Sequence, residues 1–461
     1  MSHTSEGCAS CGQVPRAPVA RRQGAFFAAL IAACALNKPQ APDRGRVGEP
    51  GGGQARPSAL NVWIMTNGEK SEEMFLDTIS PFALANPNVK VVLTVLPWPE
   101  AWEKIQVALK GGPAPDVVQL GTTWVASIAA TGKLLDLTGK FDESVFPSGI
   151  LAATSIQGSG KPVRFAMPWF VDTRALYYNK AACAKAGIDP AKDFATWTSF
   201  KAALLKLKEL DMEGKHIMPL GFAGNPRDAV HNLSWWIWGA GGEFIGRGAK
   251  GKGINSPESV AGVEFAIELV REGLMVPTYD EGKGEVLMSM LRAGEVSTIV
   301  SYPISSLSEN RFGVVPLPEG PRGRFTFLGG STLAVFNTSP HPKESIALLN
   351  FLSSEGAQLH YSARTGLLPA AAKQYDDLLL RMDPVRSVLV EQLQYGRAYP
   401  SIPQWVAIEH VLQDGLGIVW DIAIRPGPYD KRVLRRELDR LARTIDAILW
   451  KQDSPKTARR Q

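Results

Sequence analysis

Residues 89–121, VKVVLTVLPWPEAWEKIQVALKGGPAPDVVQLG, decide the fold class of this 461-residue chain. Their first nine residues are rich in β-branched side chains and predict a strand, and PDVVQLG (115–121) predicts another. Between them, residues 99–112 place apolar side chains near helical spacing and end in glycine, as helices commonly do. A strand, a helix and a strand in this order indicate an α/β sheet with parallel strands.

The flanking residues continue this alternation. ALNVWIM (59–65) predicts a strand before it, and TTWVASIAATGKLLDL (122–137) predicts a helix after it. The β-α-β-α-β order favours a doubly wound sheet. A second α/β region begins near Leu176 and contains amphipathic helices at 196–210 and 258–274.

Length and charge restrict the function classes. The chain is too long for one ordinary core and predicts two domains or lobes. Apolar residues make up 45% of it and charged residues 21%, which is a globular composition. The net charge is +5, and residues 1–33 carry three Arg and one Glu, so the remainder has +3. A charge this small does not indicate a nucleic-acid partner.

The N-terminal residues predict a secretory signal. RRQGAFFAALIAACALNK (21–38) places two arginines before an apolar run of about nine residues, which is too short to span a membrane. Ile31-Ala32-Ala33-Cys34 resembles the bacterial lipobox, so we expect a signal peptide at 1–33 and lipidation at Cys34. A buried helix is the alternative, but the Gly- and Pro-rich residues that follow favour a flexible tether at 34–58.

The cysteines are consistent with this interpretation. Cys8 and Cys11 precede the predicted cleavage site, so cleavage leaves a lipidated Cys34 and Cys183. We therefore expect no internal disulfide, and a core that stabilises the fold without one.

Motifs for catalysis are missing from the sequence. The six histidines lack the H-x-H and H-E-x-x-H spacings of metal sites, and no G-x-S-x-G is present. GRGAKGKG (246–253) places Gly253 where a phosphate-binding loop needs Ser or Thr. We expect no catalytic residue, no metal and no cofactor. A glycosidase needs only two carboxylates, so the residues alone leave that activity as an alternative.

Several segments in order resemble one known family. APDVVQLGTTWVASIAATGKLLDLT (114–138), GKPVRFAMPWFVDTRALYYNKAACAKAGID (160–189), GGSTLAVFNTSPHPKESIALLNFL (329–352) and ARTGLLP (363–369) are similar to segments of the extracellular solute-binding proteins of bacterial ABC transporters, family 1, which includes maltose-type binding proteins. The resemblance runs from about residue 60 to residue 450.

That resemblance implies a two-lobed periplasmic-binding-protein-like (type II) α/β fold with a hinge and an interlobe ligand cleft. By position, the crossings between lobes are expected near 168–173, 299–303 and 336–339. The implied divisions are lobe 1 at 59–170 plus 302–337, lobe 2 at 171–301 plus 338–450, and a disordered tail at 451–461.

Ligands bind beyond the carboxyl ends of strands in open α/β sheets, so residues just after each strand are the candidates. Tryptophan rings suit the apolar C–H faces of a sugar, and directed hydrogen bonds suit its hydroxyls. We expect a structural role for Trp102 and Asp116, and Asp172 and Arg174 either contact ligand or pair with each other. The candidate ligand-binding residues are Asn67, Trp98, Glu100, Thr123, Trp124, Trp169, Asp172, Arg174, Trp235, Trp238, Tyr302, Ser331 and Trp405.

The resemblance implies a substrate-binding lipoprotein of an ABC importer that captures a carbohydrate, first an oligosaccharide and second a monosaccharide or polyol phosphate. Its implied partners are the permease and, through Cys34, the membrane, with an extracytoplasmic location and a monomeric state. A secreted carbohydrate-active enzyme and a ligand sensor of the same fold are the alternatives.

Overall fold

The computed structural model describes residues 58–68, 70–156, 160–212, 214–223, 226–246, 253–278, 285–303 and 310–453. All of them lie in one compact unit, Ala55–Gln461. The predicted signal peptide, Cys34 and all of the tether except Ser58 lie outside the described residues.

The strands form two large sheets and two short ribbons. They are β1 Ser58–Met65, β2 Val89–Leu96, β3 Val117–Gly121, β4 Met167–Asp172, β5 Ala175–Asn179, β6 Asp211–Met212, β7 Lys215–His216, β8 Met218–Ala223, β9 Met275–Thr278, β10 Val296–Ser301, β11 Phe312–Val315, β12 Thr326–Phe327, β13 Gly329–Val335, β14 Leu368–Pro369 and β15 Gly396–Arg397.

Helices cover the sheets, and 3-10 helices lie at Glu143–Val145 and Ala372–Asp376. The α-helices are α1 Ser71–Thr78, α2 Ser80–Ala85, α3 Trp98–Leu109, α4 Val125–Ala129, α5 Ser148–Ala152, α6 Lys180–Lys185, α7 Pro190–Asp193, α8 Trp197–Lys208, α9 Pro226–Gly239, α10 Pro257–Arg271, α11 Glu285–Ala293, α12 Pro342–Leu352, α13 Glu355–Thr365, α14 Leu378–Met382, α15 Pro384–Leu393, α16 Trp405–Ile424 and α17 Lys431–Asp453.

The first lobe is built on a six-stranded sheet in the order β14-β4-β13-β3-β1-β2. β1 pairs in parallel with both β2 and β3, so the predicted α/β sheet with parallel strands is confirmed. The helix predicted over 122–137 is shorter than expected, because α4 ends at Ala129 and Gly132 adopts a φ of 69°. Such a conformation suits glycine and cannot continue a helix.

The second lobe is built on a five-stranded sheet in the order β11-β5-β10-β8-β9. The helices predicted at 196–210 and 258–274 are confirmed as α8 and α10. Thr196 caps α8, with its hydroxyl accepting from the Ser199 N–H at 3.2 Å.

The crossings between the sheets correct two of the three predictions. Thr173–Arg174 joins β4 to β5, next to the predicted 168–173. The second crossing lies between β11 and β13 rather than at 299–303, because β11 still belongs to the second sheet. The third runs through β15 rather than 336–339, because β14 returns to the first sheet. Strands of two to four residues carry too little pattern to be placed from sequence.

The predicted lobe boundaries change accordingly. Phe312–Val315, assigned to lobe 1, pairs with β5 in the second sheet. Residues 342–369, assigned to lobe 2, contain α12, which packs on β13, α13, which packs on α1, and β14, which pairs with β4. α17 also continues to Asp453, three residues into the predicted tail.

All three crossings meet at the buried residue Thr326. The Thr326 Oγ1 atom accepts from the Arg174 N–H at 3.0 Å and from the Thr173 hydroxyl at 3.2 Å. It donates to the Arg174 carbonyl oxygen at 3.1 Å, and Thr326 itself pairs with Gly396 in the β12–β15 ribbon. The hinge region is therefore joined by hydrogen bonds as well as by the chain.

The C-terminal helices complete the second lobe. α16 packs against α9, α10 and α17. α17 turns an apolar stripe toward α16, with Leu434, Leu438, Leu441 and Ile445 buried and Ile448 half-buried. Among the described residues, every helix falls short of the length and apolar character that spanning a membrane requires.

Candidate ligand-binding site between the lobes

The carboxyl ends of β1 and β3 carry a connected set of polar side chains. Asn67 Nδ2 donates to Gln119 Oε1 at 3.1 Å and to the Tyr361 hydroxyl at 2.8 Å. Gln119 Nε2 in turn donates to the Ser331 hydroxyl at 2.8 Å. Gly330, with a φ of 130°, lets β13 approach β4 closely, because an added Cβ would meet the Phe170 carbonyl. The structure thus brings the predicted residues Asn67 and Ser331 together through Gln119.

Three half-buried tryptophans lie at the same edge of lobe 1, and we call Trp98, Trp102 and Trp124 the aromatic face. The Trp124 ring centroid lies 5.6 Å from that of Trp98 and 5.3 Å from that of Trp102. Trp98 Nε1 donates to the Thr66 carbonyl oxygen at 2.9 Å, which fixes this ring at the end of β1. All three rings also pack partly against the core of lobe 1, so Trp102 has the expected structural contact as well as a place on the aromatic face.

Asp172 and Arg174 of the first crossing form an ion pair. The Arg174 guanidinium reaches both carboxylate oxygens of Asp172, at 2.7 and 2.8 Å. Its central carbon lies 5.5 Å from the ring centroid of Tyr302 and 5.7 Å from that of Phe327, within cation–π range. Tyr302 is 37% exposed, so part of its ring is accessible to solvent. The Arg174 charge beside this ring is compensated by Asp172.

A polar cluster, consisting of Thr123, His231, Tyr399 and Glu409, joins the lobes. His231 Nδ1 lies 3.2 Å from the Tyr399 hydroxyl, and His231 Nε2 lies 3.6 Å from a Glu409 carboxylate oxygen. The Glu409 side chain also hydrogen-bonds with Thr123 of lobe 1. The Phe327 ring stacks on His231 with centroids 4.2 Å apart, which connects the cluster to the crossing.

Burial sets the protonation of this cluster. It raises the pKa of the Glu409 carboxyl group from 4.5 to about 7, although the hydrogen bond with Thr123 acts in the opposite direction. Burial also raises the pKa of Tyr399 well above its usual value, and the nearby Glu409 charge adds to that. A carboxyl group with a pKa near 7 is able both to donate and to accept a hydrogen bond at neutral pH.

Further contacts close the lobes together around the cluster. The Ser127 hydroxyl donates to the Pro403 carbonyl oxygen at 2.7 Å. The Ser401 hydroxyl donates to the Ser155 carbonyl oxygen at 2.6 Å. The edge of the His410 ring, on α16, faces Trp102 at 6.3 Å between centroids. The aromatic face and the polar cluster therefore belong to one interlobe site.

Sequence comparison identifies the family. A profile for bacterial extracellular solute-binding proteins matches residues 64–359, which is more than half of the chain. The chain belongs to this family. Membership agrees with the two-lobed type II fold and with an extracytoplasmic location.

Relatives of this solute-binding protein share its length and fold. The diacetylchitobiose-binding protein DasA of Streptomyces coelicolor is 24% identical over 76% of the chain and 82% of the relative. The GacH receptor of Streptomyces glaucescens, solved unliganded and with acarbose, has a TM-score of 0.73 at 21% identity, covering 85% of this chain and 98% of that one. UgpB of Mycobacterium tuberculosis, solved with glycerophosphocholine, has a TM-score of 0.72 at 22% identity, covering 86% and 100%.

Four of the predicted ligand residues are buried in this solute-binding protein. Trp169, Trp235, Trp238 and Trp405 are each at most 2% exposed. Trp169 stacks on Tyr361 at 4.6 Å, and Trp405 stacks on Tyr399 at 4.5 Å. These rings offer no face to solvent in this structure, and their contact with ligand stays a prediction. Some of the packing partners are distant in sequence, as Tyr361 is from Trp169, so the pattern around a ring does not show its burial.

The remaining predicted residues divide between the site and its surroundings. Glu100 is exposed on the first turn of α3 and has no described contact with the polar cluster. Asp116 has the expected structural role, since its Oδ2 atom accepts from the Asn61 N–H at 2.7 Å and its Oδ1 atom from the Ser339 hydroxyl.

The sequence prediction missed Gln119, Tyr399 and Glu409. Glu409 lies in IEHV (408–411), which the sequence offers only as an incomplete metal motif. Its burial beside His231 depends on the packing of α16 against α9. Within the part of the chain that the structure describes, no group of three or more His, Cys, Asp or Glu side chains is arranged to hold a metal ion.

Proposed function

We propose that this protein is the substrate-binding lipoprotein of an ABC importer, which captures a carbohydrate between its lobes and delivers it to a membrane permease. The observation that carries the proposal is the aromatic face, three half-buried tryptophans at the carboxyl ends of the lobe 1 strands. Flat indole rings suit the C–H faces of sugar units, and several rings side by side suit an oligosaccharide.

The opposite side of the site supplies hydrogen-bonding groups. Tyr302 and the Asp172–Arg174 pair border the crossing, and the polar cluster lies between them and Trp124. Because Asp172 compensates the Arg174 charge, this part of the site favours a neutral hydroxyl-rich ligand over an anion. DasA is named as a diacetylchitobiose-binding protein, and GacH was solved with acarbose. Both relatives support the same ligand class.

A polyol phosphate is the second candidate. UgpB of M. tuberculosis binds glycerophosphocholine in its solved structure and resembles this chain as closely as the sugar-binding examples do. A phosphodiester would need a cation that is not already paired, whereas Arg174 is paired with Asp172. Tyr302 and the tryptophans therefore suit a sugar better than Arg174 suits a phosphodiester.

Binding is coupled to lobe closure in this proposal. Ligand contacts with the second lobe form only when the lobes close, so ligand favours the closed state. The Thr326 hydrogen bonds at the crossings hold the lobes in register while the angle between them changes. No bond of the sugar breaks, and the monomeric protein acts without a cofactor.

The location completes the proposal. Signal peptidase cleaves before Cys34, and acyl chains on that residue hold the protein at the membrane. A tether of 34–58 reaches at most roughly 80 Å when fully extended, enough to dock on a permease nearby. Replacing Cys34 by Ala is expected to move the protein from the membrane fraction to the soluble fraction, and retention at the membrane would contradict lipidation there.

A thermal-shift panel tests the ligand class. Residues 55–461 are heated with mono- and oligosaccharides and with glycerophosphodiesters. A ligand at about 100 times its Kd adds roughly 2.7 kcal/mol to the free energy of unfolding, which raises the Tm measurably. We expect oligosaccharides to raise it and to be recovered intact.

Other outcomes identify the alternatives. A cleaved sugar would establish the enzyme, and a shift with glycerophosphodiesters alone would replace the carbohydrate. A ligand sensor binds sugar without transport, so uptake of the identified sugar by cells that lack this protein separates the sensor from the importer component. Unimpaired uptake would contradict the importer function.

A further inference from the structure

The positive charge of this protein is concentrated in its last helix and the residues after it. Residues 431–461 contain ten Lys and Arg and four Asp and Glu, a net charge of +6, whereas the whole chain carries +5. The 430 residues before them are therefore close to neutral, with a net charge of −1. A uniform solvated surface would not separate charge in this way.

The exposed side of α17 carries this charge. At 100° per residue, Arg432, Arg436, Arg443 and Trp450 fall within a sector of about 40°, opposite the buried leucines. Arg435 lies beside this sector and is also exposed. We call these five residues the α17 basic face.

Most arginines of this face are not held in ion pairs, although the Asp430 charge lies near Arg436 as well as Arg432. Arg435, Arg436 and Arg443 form no ion pair with any residue in the described ranges, whereas Arg432 pairs with Asp430. Two acidic residues, Asp439 and Asp446, lie within this face between Arg435 and Arg432, and Asp439 accepts a hydrogen bond from Asn255 at 2.8 Å. The net charge of the surface remains positive.

Trp450 points to the kind of partner. It is 76% exposed, next to Lys451, near the C-terminal end of the helix. Tryptophan and arginine together on one exposed helix face are typical of helices that lie against a bilayer surface, where indole sits among headgroups and arginine pairs with phosphate. The family is extracellular, so nucleic acid is not the expected polyanion.

We propose that the α17 basic face binds the anionic headgroups of a phospholipid bilayer. Its apolar side stays packed on α16, so docking requires no unfolding of the helix, and the attraction is electrostatic with Trp450 adding interfacial contact. This surface is independent of the ligand site and of acylation at Cys34. It would orient the protein on the membrane in addition to any tether.

Vesicle co-sedimentation of residues 55–461 tests the proposal without the lipid anchor. This segment is the compact unit and contains all three apolar cores, so it is expected to fold alone. Phosphatidylcholine vesicles with 30% phosphatidylglycerol are compared with pure phosphatidylcholine. We expect binding only to the anionic vesicles, and loss of binding when salt rises from 0.1 to 0.5 M, since screening shortens the reach of the charges.

Two variants with equal charge loss separate the α17 basic face from net charge. R435Q/R436Q/R443Q is expected to lower the partition coefficient on the order of 100-fold, about fivefold per arginine. K104Q/K110Q/K140Q removes three exposed lysines of lobe 1 and is expected to change it less than threefold. W450A is expected to weaken binding to the anionic vesicles several-fold at 0.1 M salt, because the interfacial contact of its indole ring is lost.

Equal losses in the two triple variants, or equal binding to neutral vesicles, would overturn the proposal, as would no binding of the unaltered protein. An unchanged Tm and an unchanged ligand-induced shift in R435Q/R436Q/R443Q show that the variant is folded. They also keep this result separate from the carbohydrate proposal, because failure of one leaves the other measurable.

Discussion

Two groups of three tryptophans in this molecule have opposite environments. Trp98, Trp102 and Trp124 are half-buried at the edge of lobe 1, and Trp98 donates its indole hydrogen bond to Thr66. Three of the four tryptophans on α8 and α9 are packed together inside lobe 2 with ring centroids as close as 3.5 Å, and their indole N–H groups have no partner in the described residues. They are Trp197, Trp235 and Trp236.

The difference separates a stabilising role from a recognition role for the same side chain. Burying an indole removes a large apolar area from water, and this outweighs the cost of an N–H without a hydrogen-bond partner. A half-buried indole gives up part of that stabilisation and keeps a face available for a ligand. Burial, rather than residue type, decides which role a tryptophan has.

The largest expected effect is on the buried group. Trp236→Ala removes a fully buried ring that packs on Trp197 at 5.1 Å, so it is expected to lower the free energy of unfolding by about 3–5 kcal/mol. Urea denaturation measures this. Trp98→Ala is the control, and it is expected to cost less than half as much, whereas equal losses would contradict the distinction between the two groups.

The sheet with parallel strands was predictable because its strands are long and its hydrophobic pattern is regular. β1, β2 and β3 have five to eight residues each and appear where the pattern places them. The lobe boundaries were not predictable, because β11 has four residues, β14 has two, and their pairing depends on distant strands. Composition contains no signal for a chain that crosses between lobes three times.

The candidate site was predictable only in part, for a related reason. Asn67, Trp98, Thr123 and Trp124 follow strands of a sheet with parallel strands, so topology alone gathers them at one edge. Trp405 was a candidate from the sequence, but its ring is buried on Tyr399, and the sequence does not show that packing.

The second-largest expected effect concerns Glu409, which lies on α16 and hydrogen-bonds with Thr123, next to Trp124 of the aromatic face. Its pKa is about 7 in the folded state and 4.5 ordinarily, so the folded state holds the proton more tightly. Its contribution to stability is full below pH 4.5 and is lost as the pH rises through 7, on the order of 3 kcal/mol. Glu409→Gln is expected to remove this loss, so the variant gains stability over the parent at pH 8 and not at pH 4.5.

Urea denaturation at several pH values measures the Glu409 effect. Glu100→Gln, which removes an exposed carboxyl group, is the control and is expected to leave the difference between pH 4.5 and 8 as in the parent. If Glu409→Gln retains the pH dependence of the parent, the buried carboxyl is not its source, and the interlobe contact does not depend on protonation of this residue.

The smallest effect belongs to the aromatic face and bears most directly on function. Trp124→Ala is expected to weaken binding of the oligosaccharide found by the thermal-shift panel by about five- to thirty-fold, or 1–2 kcal/mol, because one stacking face is lost. Trp124→Phe keeps a smaller aromatic face and is expected to recover part of the affinity. Calorimetric titration measures both, with Trp450→Ala as the control, since Trp450 lies at the far end of α17. If Trp124→Ala bound the sugar as tightly as the parent, these rings would pack the edge of lobe 1 only, and their partial exposure would need another explanation.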